Sequence, residues 1–355
     1  MLDPPPGDAA RKVGGLALAL RLALDAQAGG ASAVVVASEL APLVPVLQDS
    51  RLKIPVVSEA PADARRVRVP ASFVLHRQLF KLLASTLDSD RDLARDPFPI
   101  DAPFGFEPID VVDAPSARRA ERALFRALRK PQDGWTSRWL NRYLSLTLSR
   151  LLVKTPLRPN QLSVGILAVG LIGAWLASRG DWASMAAGAF LFQMQSILDG
   201  CDGEMSRITH RGSLMGQWLD TVGDDLTNYS FFGATGWGLY AATGSWVYLI
   251  AGIVTVVCGL ITSGIEYRYL IKIGSGDLLA YPLSAPGSEA KGGWFDAIQP
   301  LFKRDTFVFL TLLAALAGLL GPMLVVFSLG AVGILISVIG AELRMARERR
   351  QAAAR

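Results

Sequence analysis

The sequence is poor in the residues that build zinc centres and disulfide scaffolds. Its 355 residues include two cysteines, Cys201 and Cys258, and two histidines, His76 and His210. Cysteines so few and so far apart make neither a disulfide framework nor a metal-ligand pair, and both read as small buried apolar residues. Neither histidine has a catalytic setting. His76 has no identifiable acidic or nucleophilic partner, and His210, in a basic bend with Arg211, reads as a solvated loop residue within reach of a phosphate or headgroup. Missing too is any basic patch interleaved with aromatics, which excludes a nucleic-acid platform. The first residues, MLDPPPGDAARK, lack the charged, apolar and cleavage regions of a signal peptide, so the amino terminus is expected to stay in the cytoplasm.

Apolar residues, by contrast, make up 51% of the chain, with a positive mean hydropathy and a formal net charge of only +5. That composition points to a protein partly embedded in a membrane. The lysines and arginines lie beside hydrophobic spans, which favours contact with anionic headgroups and the positive-inside pattern.

Between two apolar segments stands ILDGCDGEMSRITHRGSLMGQWLDTVGDD, residues Ile197 to Asp225. Asp199, Asp202, Gly203, Ser206 and Arg207 fall at i, i+3, i+4, i+7 and i+8, one face of a helix. Gly216, Asp220 and Asp224 share a face in the same way. Two helices meeting through these faces bring four carboxylates together, with glycines where backbones or a ligand must approach. Two like charges about 4 Å apart repel by roughly 4 kcal/mol at an effective dielectric near 20, so the cluster needs a cation. Carboxylates without histidine or thiolate favour Mg²⁺, Mn²⁺ or Ca²⁺ over zinc or copper. Mg²⁺ keeps part of its shell for phosphate oxygens to complete, which makes a pyrophosphate-bearing substrate the natural partner.

The pattern Asp199-x-x-Asp202-Gly203-x-x-Ser206-Arg207, eight residues, then Gly216-x-x-x-Asp220-x-x-x-Asp224 resembles the signature of the CDP-alcohol phosphotransferases. The resemblance implies an integral membrane enzyme that moves a phosphoalcohol or phosphatidyl group from a CDP-alcohol to a hydroxyl acceptor and releases CMP. One departure is Ser206, where the family usually has alanine; it is small enough to keep the close approach. By the same resemblance, two Mg²⁺ or Mn²⁺ ions are held by Asp199, Asp202, Asp220 and Asp224. Gly203, Ser206, Arg207, Ser213 and Gly216 form the nucleotide seat, and Asp224 takes the proton from the acceptor hydroxyl. Asp225 lies off that face and reads as a neighbour only. A homodimer is expected from the family.

The fold implied is a polytopic α-helical membrane domain of about six transmembrane helices, preceded by an interfacial helix and a small soluble α/β domain. Residues 1–130 form the α/β part: a helix over Leu16 to Ala28, a buried strand over Ala33 to Ala37, strand-like runs at Ile54 to Val57 and Arg68 to Leu75, and a loop from Leu87 to Asp113 with a short strand near Ile109 to Val112. This order is similar to part of a sugar-phosphate cytidylyltransferase domain. The Gly-rich phosphate loop is missing, Lys12-Val-Gly-Gly15 being a poor substitute, so the domain is expected to be non-catalytic.

Residues 131–158 supply a turn-rich hinge at Lys130 to Gly134 and an interfacial helix carrying Arg138, Arg142, Arg150 and Lys154. The stretch from Lys130 to Ser163 also looks like the start of the membrane domain in the inositol-phosphate-using branch of the family, and by resemblance Asn160 and Ser163 approach the nucleotide. Residues 159–345 hold the spans, near Leu162 to Ser178, Trp182 to Leu198, Ser213 to Ala242, Trp246 to Gly264, Thr306 to Leu320 and Met323 to Ala341, the last two divided by Gly321-Pro322. Residues 346–355 are a basic tail. Charge in the connections places both termini and the acidic cluster on the cytoplasmic side. Between Tyr267 and Asp305 lie Arg268, Lys272, Lys291, Lys303 and Arg304, most of them expected as positive-inside anchors. Arg268 and Lys272, at i and i+4, are the candidates for binding a phosphorylated acceptor.

Two other classes fit parts of the pattern. Intramembrane prenyltransferases also bind Mg-pyrophosphate through aspartates, but normally with two well-separated acidic motifs. A divalent-cation transporter would line its path with acids but has no need of Arg207 beside them. The acceptor stays open between inositol phosphate, glycerol phosphate and a lipid alcohol.

Overall fold

The computed structural model describes residues 1–3, 9–60, 64–86, 90–93, 106–129, 136–282 and 304–353. The expected hinge at Lys130 to Gly134, Trp135, Lys291 and Lys303 lie outside them. The chain forms two compact units, one of Met1–Lys130, Arg150–Pro156 and Glu204–Arg211, the other of Pro131–Ser149, Leu157–Gly203 and Gly212–Arg355.

The first unit begins with β1 (Leu2–Asp3), β2 (Lys12–Val13), β3 (Leu16–Ala17) and α1 (Leu18–Ala28). There follow β4 (Val34–Val35), the short α2 (Val44–Leu47), β5 (Val56–Val57), β6 (Val67–Pro70), β7 (Phe73–Val74), α3 (Arg77–Thr86), β8 (Arg91–Asp92), β9 (Ile109–Asp110) and α4 (Ala114–Arg126). Strand β1 pairs in parallel with β6, β6 with β8, and β4 with β5, while a parallel bridge from Leu2 to Val36 joins the two sets. The resulting order, β5-β4-β1-β6-β8, is that of an open α/β sheet whose winding reverses beside its first strand. Helix α1 is buried from Leu18 to Asp25 and packs with Val34, Val69, Leu75 and Leu83 in one core. Its buried Arg21 donates through Nη2 to the carbonyls of Val13 and Gly14, at 2.9 and 3.3 Å. Strand β9 lies where a strand was expected, but β8 falls inside the expected loop from Leu87 to Asp113. Two residues are too few for an alternating pattern to show, and β8 is defined by its register with Val67 and Arg68.

The second unit is helical. A wide turn at Ser137–Asn141 leads into α5 (Arg142–Leu152), and then come α6 (Pro159–Ala177), α7 (Trp182–Thr209), α8 (Leu214–Thr243), α9 (Trp246–Ile273), α10 (Arg304–Leu316) and α11 (Leu320–Ala353). By length and composition α6, α9 and the stretch Leu320–Glu348 of α11 can cross a membrane. Helices α7 and α8, at about 42 and 45 Å, have the length as well, and carry the acidic motif. The break between the last two spans is placed differently from expectation. The left-handed Gly318, φ 72°, turns the chain between α10 and α11, and Gly321 and Pro322 stand in the first turn of α11, where proline's missing N–H is no loss.

The turn before α5 and the helix itself are amphipathic across their length. Trp139, Tyr143 and Leu151 are exposed while Asn141, Ser145 and Ser149 are buried, the split expected of a helix lying in the interface. Asn141 accepts from Gln193 Nε2 at 3.0 Å on α7, and the Ser137 amide donates to Asp305 Oδ2 at 2.6 Å at the start of α10. At the motif-distant ends of the helices, Trp175, Trp182, Trp237 and Trp246 are all exposed, with the Arg179 guanidinium 4.8 Å from the Trp175 ring centre. Such a ring of tryptophans marks a membrane–water boundary. Phe192 stacks on Phe231 with ring centres 4.3 Å apart, and Phe232 meets Phe327 at 5.0 Å, filling the core between the helices.

Helix α7 ends with a left-handed residue, His210, φ 52°, and the Arg211 amide bonds back to the Ser206 carbonyl at 3.0 Å. Glycine is the usual occupant of this position, and another residue costs about 1–2 kcal/mol there. The imidazole offsets that cost, since Nε2 lies 3.2 Å from Asp25 Oδ1 with both side chains largely buried. His210 is therefore not the solvated loop histidine expected from the sequence.

Helices α6 and α7 touch backbone to backbone: a Cβ on Gly188 would stand 2.5 Å from the Gly173 carbonyl oxygen and 2.9 Å from the Ala177 nitrogen. A Gly188→Val variant is expected to lose about 1–3 kcal/mol or more through overpacking, read as a lowered unfolding midpoint in detergent. An unchanged midpoint would mean that the two backbones are not in contact there.

Candidate functional site

The acidic motif is carried by the last four turns of α7 and the first three of α8, which the spacing of its aspartates foretold. Gln195 and Asp199, one turn apart on α7, face Asp224 on α8, and a guanidinium lies among them. Arg304 Nη1 is 3.1 Å from Asp199 Oδ2 and 2.8 Å from Asp224 Oδ2, while Nη2 donates to Gln195 Oε1 at 2.8 Å. Gln195 Nε2 in turn reaches Asp224 Oδ1 at 3.4 Å. Asp199, Asp224 and Arg304 are each about a quarter exposed, so their attraction is not spent on water.

The other two acids lie one helical turn from these, Asp202 after Asp199 and Asp220 before Asp224. Asp202 is buried, accepts from Ser163 Oγ at 2.5 Å and from the Gly203 amide, and so ties the start of α6 to the motif. Asp220 is exposed one turn before Asp224, close enough for its charge to act on Asp224 and Arg304. Among the described residues no three metal-ligating side chains converge on one point. The donor chemistry nevertheless fits a hard cation: carboxylates from two helices meet where a positive group is required, and the guanidinium now answers that requirement.

Three expected nucleotide residues meet at the starts of two helices. Ser213 caps α8 by accepting from the Gly216 amide at 3.0 Å, and a Cβ on Gly216 would lie 3.1 Å from Asn160 Oδ1 and 3.2 Å from Ser213 Oγ. Asn160 is the second residue of α6, so the amino termini of two helices, whose dipoles favour negative charge, come together, a setting that suits an anion. Gly203 follows Asp202 on α7, and Ser206 and Arg207 continue the same helix into the residues that belong to the first unit. Arg268 and Lys272 are exposed, one turn apart, near the end of α9.

Helix α8 is held in place by contacts on its opposite side. Asp225 accepts from Ser263 Oγ and, at 2.6 Å, from the Tyr267 hydroxyl, and Ser263 also meets the Tyr229 hydroxyl at 2.6 Å. Thr221 donates to the Gly276 carbonyl at 2.7 Å, and the Gly276 amide donates to Gln217 Oε1 at 3.1 Å. Asp225, read from the sequence as a bystander, thus fixes the rotation of the helix that presents Asp224. Sequence reasoning missed two residues of the site. Gln195 had a signal, standing at i−4 from Asp199 on the motif face. Arg304 had none, since it stood among basic residues explained as anchors, with no periodic relation to the aspartates.

Residues 157–340 match the family described as CDP-alcohol phosphatidyltransferase. The chain is 32% identical over 169 residues to a bifunctional IPC transferase and DIPP synthase of Aquifex aeolicus, the match covering 46% of this chain and 38% of that protein. It is 38% identical over 122 residues to the protein of the same description in Thermococcus kodakarensis, covering 34% of this chain and 27% of the other. The matched part is thus well under half the length of these relatives. Among solved structures it is similar to the phosphatidylinositol phosphate synthase PgsA1 of Mycobacterium tuberculosis with CDP-DAG bound, at a TM-score of 0.43 and 17% identity over 56% of this chain and 92% of that one.

Replacing Arg304 by methionine leaves Asp199 and Asp224 facing each other without a counter-charge. The Arg304→Met protein is expected to lose about 1–3 kcal/mol of stability in metal-free buffer, and millimolar Mg²⁺ should raise its unfolding midpoint more than it raises that of the unsubstituted protein. Equal Mg²⁺ responses would mean that the two carboxylates are not the cation-binding pair.

Proposed function

The chain belongs to the CDP-alcohol phosphatidyltransferase family, whose model covers just over half of its residues, and we propose from this that it transfers a phosphoalcohol or phosphatidyl group from a CDP-alcohol to a hydroxyl acceptor with release of CMP. The observation that carries the proposal is the meeting of Asp199 on α7 with Asp224 on α8 around one positive group. Motif acids contributed by separate helices act at a single point, and that point attracts cations.

In this reading Asp199, Asp202, Asp220 and Asp224 hold the divalent ions, Mg²⁺ or Mn²⁺. When bound, these neutralise the pyrophosphate and stabilise charge on the departing CMP. The nucleotide seat is formed by Gly203, Ser206, Arg207, Ser213 and Gly216, with Asn160 and Ser163 along its edge. It is supported by the convergence of Asn160, Ser213 and Gly216 at two helix amino termini. Asp224 takes the proton from the acceptor hydroxyl as its oxygen attacks the β-phosphorus, and the bond from that phosphorus to the CMP oxygen breaks. The Asp225 network and Gln195 keep the Asp224 carboxylate oriented for this step.

The acceptor we favour is an inositol-phosphate-type polyol, supported by the resemblance of Lys130 to Ser163 to that branch of the family and by exposed Arg268 and Lys272 as phosphate contacts. A cytoplasmic site and cytoplasmic termini are supported by the basic connections on the motif side. Residues 1–130 are read as a non-catalytic α/β domain similar to a cytidylyltransferase, and a homodimer is proposed from the family alone.

Purified protein incubated with CDP-alcohols and an acceptor should release CMP, which neither a prenyltransferase nor a cation transporter would do. Chelation of divalent ions should abolish the release, and Mg²⁺ or Mn²⁺ should restore it. Asp224→Asn is expected to retain donor binding and lose turnover by about a hundredfold or more; CMP release at the normal rate would sink the base assignment.

A further inference from the structure

The last turns of α7 are built into the α/β unit. Residues Glu204–Arg211 belong to the same compact body as Met1–Lys130, and this stretch includes Ser206 and Arg207. Three contacts grip it. Arg51 donates to the Thr209 carbonyl at 2.6 Å, supplying a cation at the helix carboxyl terminus, where the macrodipole favours one. Arg51 is itself held by both oxygens of Asp49 at 2.7 Å, which pulls the Asp49 carboxyl down to about 2. His210 reaches Asp25 on α1. Gly14, with φ 56°, lies so close to Ile208 that a Cβ there would stand 3.0 Å from the isoleucine Cγ2. Finally, Met205 and Ile208 are buried.

His210 is the telling residue. The left-handed stop of a helix is best made by glycine, and a side chain is tolerated there at a cost. Here the costly residue is the one whose imidazole is buried against Asp25. A helix that needed only to stop has no use for that arrangement; a helix that must be held at a fixed rotation and height does.

We propose that the α/β unit is a positioning clamp for the catalytic helix: through Asp25–His210 and Arg51–Thr209 it sets the helical turn that carries Ser206 and Arg207, and thereby the affinity for the CDP-alcohol. Asp25, Arg51 and His210 are positioning residues that touch no substrate. This inference rests on the reading of Ser206 and Arg207 as nucleotide contacts. It gives the α/β domain a task that requires its fold and no phosphate loop of its own.

The test uses the full-length protein in detergent with Asp25→Asn, Arg51→Ala and His210→Gly. Each is expected to raise KM for the CDP-alcohol about tenfold, equivalent to about 1.4 kcal/mol, with kcat within about twofold. Asp25→Asn combined with His210→Gly should be no worse than either alone. Glycine relieves the left-handed backbone, so a weakened helix end cannot explain a raised KM in His210→Gly. Hydrogen exchange supplies a readout that needs no substrate: amides from Ile208 to Gly212 should exchange faster in all three variants, with those from Ala189 to Gln193 unchanged. Unchanged exchange at 208–212 overturns the clamp, and faster exchange with an unchanged KM overturns its role in donor binding. If the unsubstituted protein releases no CMP from any CDP-alcohol, the proposed reaction fails, and the clamp is then decided by exchange alone.

Discussion

Two carboxylates on neighbouring apolar helices cannot face each other without a positive partner, and this constraint organises the helical unit. Arg304 meets it for Asp199 and Asp224. To do so α10 must begin at the level of the motif, and the Asp305 contact to the Ser137 amide fixes that start against the turn leading into α5. Glycines on α6 and α7 let the backbones come close enough for Ser163 to reach Asp202. Remove the charge requirement and these arrangements lose their common purpose.

The polar groups of the helical unit are divided by task. The ionised ones cluster at one end, where two helix amino termini also meet, while the opposite side of α8 is secured by an acceptor, Asp225, surrounded by hydroxyls. Hydroxyl donors satisfy a carboxylate without supplying a second charge that would compete with the site. Asp225 can thus anchor α8 while its chain neighbour Asp224 stays available to the cluster. Adjacent acids with separate duties follow from the 100° between successive residues on a helix.

The parts legible in the sequence were those written in a period. Asp199, Asp202, Asp220 and Asp224 stand at helical spacing, and the helices appear where that spacing puts them. Pro159 opens α6 as its fixed φ allows. What escaped was whatever depends on partners remote in the chain. Arg304 lies 105 residues from Asp199, and no local pattern connects them. Strands β1 and β8 have two residues each and are made by their neighbours rather than by alternation. His210 misled because a left-handed helix stop is normally announced by glycine, and the reason for histidine lies on α1, far back in the chain.

The four tryptophans at the motif-distant ends of the helices fix a reference plane. At 1.5 Å per residue Asp199 lies about 26 Å along α7 from Trp182, and Asp224 about 20 Å along α8 from Trp237. Measured against a hydrocarbon layer of about 30 Å, the carboxylates sit about 4 and 10 Å inside the far surface. Bilayer thickness therefore becomes a variable of the site. With the indole rings held at one boundary, a thicker bilayer draws the acids deeper below the far headgroups and a thinner one lifts them towards water, so the depth of the carboxylates follows the lipid composition.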